Sequence, residues 1–153
     1  MRDLYNKLKV VKSIGCAALD ADNTPVVIDR QGYESLVYEL NVGIGGITFS
    51  GANKIEFKLY HSDKETAPAF PGDFTAVTAE DVQLADGVTV GAGGIVKALT
   101  AAHAAASVTK VGYIGNKRWT ALLADFTGTH GSPTPVAANA ILSDPHRLSA
   151  VDE

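Results

Sequence analysis

Residues Lys110–Phe126 read KVGYIGNKRWTALLADF. Two runs of β-branched, aromatic and aliphatic residues flank Gly115-Asn116, and both of those residues tolerate the positive φ of a tight primed turn. The pattern predicts a two-residue β-hairpin. Lys117 and Arg118 then form a charged tip beside Trp119, while Leu122, Leu123 and Phe126 supply apolar weight. Nothing in the stretch is catalytic by itself.

Working outward, the same period of two recurs. In Tyr33–Val42, Leu36, Tyr38, Leu40 and Val42 share one face, and Ser35, Val37, Glu39 and Asn41 the other. Asn53–His61 sets Ile55, Phe57 and Leu59 against Lys54, Glu56, Lys58 and Tyr60, the mark of a strand with one wet face. Val136–Leu142 alternates in the same way and suits a closing strand. Pro25–Arg30 and Phe74–Thr78 read as short strands. The alanines of Ile95–Thr109 favour helix by propensity. The strands on both sides outweigh them, and the segment is expected to be strand, short connection, strand. Thr78-Ala79-Glu80-Asp81 fits a capping box that could start one helical turn.

Seven to ten short strands with turn signals every 8–12 residues predict an all-β protein, an antiparallel β-sandwich or barrel. The 153 residues suffice for one domain with a real core. Residues 1–15 read as an extended N-terminal arm with a weak strand in Leu8–Ile14, 16–145 as the sandwich and 146–153 as a polar C-terminal tail. No fixed-period repeat points to a propeller or solenoid.

The formal net charge of −4 argues against nucleic acid as a partner, since phosphate neutralisation needs a basic face. No 18-residue apolar run is present, so no membrane partner is expected. MRDLYNKLKVV lacks the apolar stretch of a signal peptide, which implies synthesis in a cytoplasm. Cys16 is the only cysteine and leaves no disulfide framework or cysteine metal site within one chain.

Gly43–Gly46 and Gly91–Gly94 lack the spacing of a dinucleotide or phosphate loop and read as turns. His61, His103, His130 and His146 show no paired ligand spacing, and His61 is expected to be a hydrogen-bonded, partly buried imidazole. Asp20, Asp22 and Asn23 in LDADNTP echo a calcium loop but lack its glycine and distal glutamate. There is no GxSxG elbow. No enzyme activity, catalytic residue, metal or cofactor is expected. Tyr33, Tyr38, Tyr60, Tyr113 and Trp119 could line a sugar-binding face, although packing accounts for them better. Tyr60, on the wet face of its strand, suits a protein interface.

Five segments together resemble a family of small virion proteins of tailed bacteriophages: LYNKLKVVKSI, VVIDRQGYESLVYEL, IEFKLYHSD, VGYIGNKRW and PTPVAANAILSDP. The pattern of Gln31–Ser35 with Gly112–Arg118 is the most specific part. The resemblance implies a capsid decoration (cement) protein on the outer capsid surface of the virion, bridging subunits of the major capsid protein. It also implies a jelly-roll-like fold and a homotrimer. The Ser62–Asp73 loop is longer than the resemblance leads one to expect. On this reading the arm carries the interface through Leu4, Tyr5, Leu8, Val10, Val11 and Ile14, with Tyr60, Lys117 and Arg118 as further contacts. A carbohydrate-binding adhesion module and a head–tail joining component are the competing roles.

Overall fold

The computed structural model describes residues 4–146. They form ten strands: β1 (Leu8–Leu19), β2 (Val27–Asp29), β3 (Tyr33–Val42), β4 (Lys54–Ser62), β5 (Thr75–Ala76), β6 (Val82–Gln83), β7 (Ile95–Leu99), β8 (Ser107–Tyr113), β9 (Trp119–Thr127) and β10 (Thr134–Pro145). Tyr5–Lys7 makes one 3₁₀ turn, and no α-helix occurs among the described residues.

Two antiparallel sheets pack face to face as a β-sandwich. Sheet A has the order β1-β10-β3-β8-β6; sheet B runs β2-β9-β4, with β5 and β7 both on the far side of β4. Each link from β1 to β4, and again from β7 to β10, passes from one sheet to the other.

The alternation read from the sequence is the alternation of burial. Leu36, Tyr38, Leu40 and Val42 on β3 face Ile55, Phe57 and Leu59 on β4 across one core. Large residues sit beside small ones: Tyr38 pairs with Ala140, Leu40 with Ala138 and Phe57 with Ala124. That alternation of large and small residues lets the two layers interdigitate. Tyr38 is wholly buried, and its hydroxyl shares a 2.7 Å hydrogen bond with Thr120 of the opposite sheet. Burial pushes its phenol pKa up, so the hydroxyl stays neutral at any physiological pH. Ile95–Thr109 is strand, connection, strand, as flanking context implies.

Three expectations are corrected. Lys110–Phe126 is not a hairpin: β8 lies in sheet A and β9 in sheet B, so the stretch is a corner between layers. Neither Gly115 nor Asn116 has a positive φ, and a primed turn needs one. The arm is likewise no arm beyond its first residues. Leu8–Leu19 is the edge strand of sheet A, paired along its length with β10 and bulged near Ile14. Its β-branched and aliphatic residues complete a face that β10 alone leaves open, and Ile14 is only 4% exposed. The sandwich therefore begins at Leu8, not at residue 16. Thr78–Asp81 starts no helix; the Asp81 carboxylate accepts from the Thr78 amide and hydroxyl in a closed turn. The tail beyond His146 lies outside the described residues, as do residues 1–3 of the arm.

The edge-strand placement has a measurable consequence. Ile14→Ala should cost about 2–4 kcal/mol in urea denaturation, as core truncations do. Val10→Ala, on the same strand but facing solvent, should stay within about 0.5 kcal/mol. Equal, negligible effects would return the segment to a free arm.

Candidate interaction surface

The corner between β8 and β9 is held by side chains from four segments. The Arg30 guanidinium, just past β2, donates to the carbonyls of Gly115 (2.9 Å) and Lys117 (2.7 Å) and to that of Glu34 (3.0 Å). It also stands 4.8 Å from the centre of the Tyr113 ring. The Asp81 carbonyl accepts from the amides of Ile114 and Gly115. At Gly115 a Cβ would meet the Tyr113 hydroxyl at 2.5 Å, so only glycine lets the backbone pass.

Behind the corner, His61 Nδ1 and the Tyr113 hydroxyl lie 3.0 Å apart, both buried. Burial lowers the His61 pKa, with Lys117 adding to the effect and Asp81 and Asp63 opposing it. The imidazole is thus neutral at pH 7, and its 3.9 Å approach to the Asp81 carboxylate is not then an ion pair.

The predicted contact residues separate under this geometry. Arg118 grips Asp29 with two nitrogens and lies 4.3 Å over Trp119, whose indole donates to the Lys64 carbonyl. The Arg118 bond holds the Asp29 pKa below the usual carboxylate range. Lys117 reaches the Thr75 hydroxyl at 3.3 Å. Tyr60 is not open: Phe70 of the long loop packs edge-on against it, 5.3 Å between centroids. Tyr60, Lys117 and Arg118 are therefore tied within the molecule. Of the six N-terminal residues, Ile14 is core, Val11 packs on it and Leu8 is half-buried. Leu4, Tyr5 (88% exposed) and Val10 (62%) remain outside.

The two outer faces differ sharply. That of sheet B carries Lys54, Glu56, Lys58 and Asp125 in one ion-pair mesh, with Lys58 shared between Glu56 and Asp125. Those bonds raise the Lys58 pKa, chiefly through Asp125, and lower that of Glu56, chiefly through Lys54. That of sheet A has a cross-strand row of Val10, Ile141, Val37 and Gly112; Val108, 68% exposed, lies further along β8, beyond Lys110 and its partner Glu39. Sequence reading missed Val37 and Ile141, although a signal was there: both are β-branched residues on faces otherwise polar. Only the register, Ile141 opposite Val37, brings them together.

Among the described residues no group of three or more His, Cys, Asp or Glu could hold a metal ion. The calcium-like loop is used otherwise. Asn23 Oδ1 accepts from the Ala124 amide and Asp22 Oδ1 from that of Phe126, satisfying the part of β9 that β2 leaves unpaired.

Acid should weaken the fold through His61. Its folded pKa lies below the ordinary 6.5, so between those values the unfolded chain binds more protons. Stability is full above that window and falls as pH drops through it. Urea midpoints measured from pH 7.5 to 5 should show this decline, and His61→Gln should flatten it. An unchanged slope in the variant would remove His61 as the cause.

No protein-family model matches the chain, and no curated protein sequence matches it.

Proposed function

We propose that the chain is a capsid decoration (cement) protein of a tailed bacteriophage, acting as a homotrimer on the outside of the head and bridging major capsid protein subunits. The observation that carries this reading is the contrast between the two sheets. One outer face is closed by its own charges and a folded-back loop; the other carries the half-buried Val37 and Ile141 beside the exposed Leu4, Tyr5 and Val10. A rigid module that carries an apolar row among polar side chains on one outer face suits cover by a neighbour, since such interfaces mix apolar and polar contacts. The strand order β1-β10-β3-β8 against β2-β9-β4 with β7 fits a jelly roll of two Greek keys, in keeping with the resemblance drawn from the sequence.

Function follows from mass action. A subunit that binds only the assembled lattice stabilises that lattice by the free energy of binding. In a trimer, modest contacts reinforce one another through effective concentration. The adhesion alternative gains nothing from the geometry: Tyr38, Tyr113 and Trp119 are buried, Tyr33 packs partly buried against the core and Tyr60 lies under Phe70, so these five aromatics form no exposed platform.

Gel densitometry of purified virions should show this chain in amounts comparable to the major capsid protein. A handful of copies per particle would make it a joining or tail component instead. In co-sedimentation with heads that lack the protein, Tyr5→Ala with Val10→Asp should cut binding about tenfold or more. Both residues are exposed, so the thermal midpoint should hold. Undiminished binding would move the contact elsewhere on the module.

A further inference from the structure

Beside the outer face of sheet A runs an open groove of about 990 Å³ between β8 and the turn after β6. Its origin is an unfinished ladder. β6 pairs with β8 at only two positions, Val82 with Tyr113 and Gln83 with Gly112. The chain then turns away: the Val88 amide donates to the Ala85 carbonyl, and Gly87 takes φ +79°. Along Ser107–Val111, β8 bonds to β3 on one side, and among the described residues no strand lies on the other. In an antiparallel strand every second residue aims its amide and carbonyl to that side. Those groups form a template for another strand.

The walls specify its chemistry. Lys97 on β7 sits opposite Phe57 and so turns inward, where its ammonium donates to the Thr109 hydroxyl at 2.8 Å. It has no carboxylate partner among the described residues, and burial lowers its pKa. Lys110, on β8 itself, makes no ion pair among the described residues and lines the same groove. Val88 and Val108 are exposed on its rim, and Asp86 is the one acid in its lining. We propose that this groove is a strand-addition site for an extended acidic segment of a partner protein, which continues the ladder β6 begins and sets carboxylates against Lys97 and Lys110. A second copy of β8 is a poorer occupant, because antiparallel pairing of β8 with itself repeats the lysine on both strands. The inference rests on the groove alone and does not depend on the decoration reading.

An inward-turned lysine on an edge strand can also serve simply to keep that edge unpaired. Lys97 belongs to β7, however, while the open ladder is that of β8. The test separates the two roles. A fluorescein-labelled peptide of about eight residues, within the usual range of strand lengths, repeating valine-glutamate-glutamate so that carboxylates fall on both faces of the strand, is titrated by anisotropy against the full chain. The same peptide with lysine for glutamate is the control. The acidic peptide should bind about tenfold more tightly and weaken as salt rises. It should slow amide exchange within Ser107–Val111 and leave β1 unaffected. Lys97→Met and, separately, Lys110→Gln should each reduce its affinity several-fold without moving the thermal midpoint. Equal binding of both peptides, or exchange unchanged along β8, overturns the assignment. So does undiminished affinity in both variants, which leaves Lys97 as an edge guard only. A dimer at assay concentration whose exchange protection maps to β8 would give the groove to a second copy and overturn it equally.

Discussion

The corner at Arg30 decides how the rest of the chain is laid out. Once Tyr113 has ended β8, the backbone must leave one sheet and enter the other within Ile114–Arg118. A tight crossing of this kind strands carbonyls away from any ladder. Arg30 collects two of them, Gly115 and Lys117, and adds that of Glu34. Bonds to a charged donor contribute about 1.5–3 kcal/mol each, more than neutral ones. The Tyr113 ring beneath the guanidinium fixes its plane, and His61 behind that ring fixes the hydroxyl. Because Arg30 follows β2 directly, the same contact also binds the start of sheet B to the end of β8. Without the corner, β9 would have to return beside β8, and the two layers would not share one core.

This explains what was legible in the sequence and what was not. Strands β3, β4 and β10 were plain, since a period of two in side-chain polarity is a local property that burial then enforces. The corner was not local. Gly115-Asn116 satisfies every short-range criterion for a hairpin, yet its path is set by Arg30 and Asp81, 85 and 34 positions earlier in the chain. The glycine is needed there for close approach to Tyr113 rather than for a left-handed φ, a distinction composition does not carry. The N-terminal strand was legible only weakly, over Leu8–Ile14, for a related reason: bulges near Ile14 break its alternation, so its sequence carries no clean period. Tyr60 sat on the wet face as read, but the long loop folds Phe70 over it. The uncovered face was visible in pieces, as Val37 and Ile141 out of pattern, and became a surface only through strand register.

The sheet edges follow a consistent logic. β1 is long and lies at an edge, yet it is bulged, and Lys9 occupies a position whose ladder partner, Leu142, faces the core. Both features discourage pairing with another chain. On β9 the exposed side is answered by Asn23 and Asp22, whose side chains supply the acceptors a strand would have given. The free side of β8 has neither device. It carries no bulge against β3, among the described residues no loop side chain bonds its backbone, and its lysine points to solvent on the outer face. An edge left open in a fold that closes its others is better explained by use than by neglect.

Face and edge are also one continuous surface. Val37 lies in the apolar row across sheet A and lines the groove beside β8, so the two meet without a polar break at that residue. A partner that set a surface against the valines and ran an extended segment along β8 would engage both at once. Neither contact would require this chain to rearrange, because the elements that present them are already fixed by the core behind β3 and by the corner at Arg30. Preorganisation of that kind lowers the entropic cost of association. It is therefore the rigidity of the sandwich, more than the strength of any single contact, that would let so small a module hold larger neighbours together.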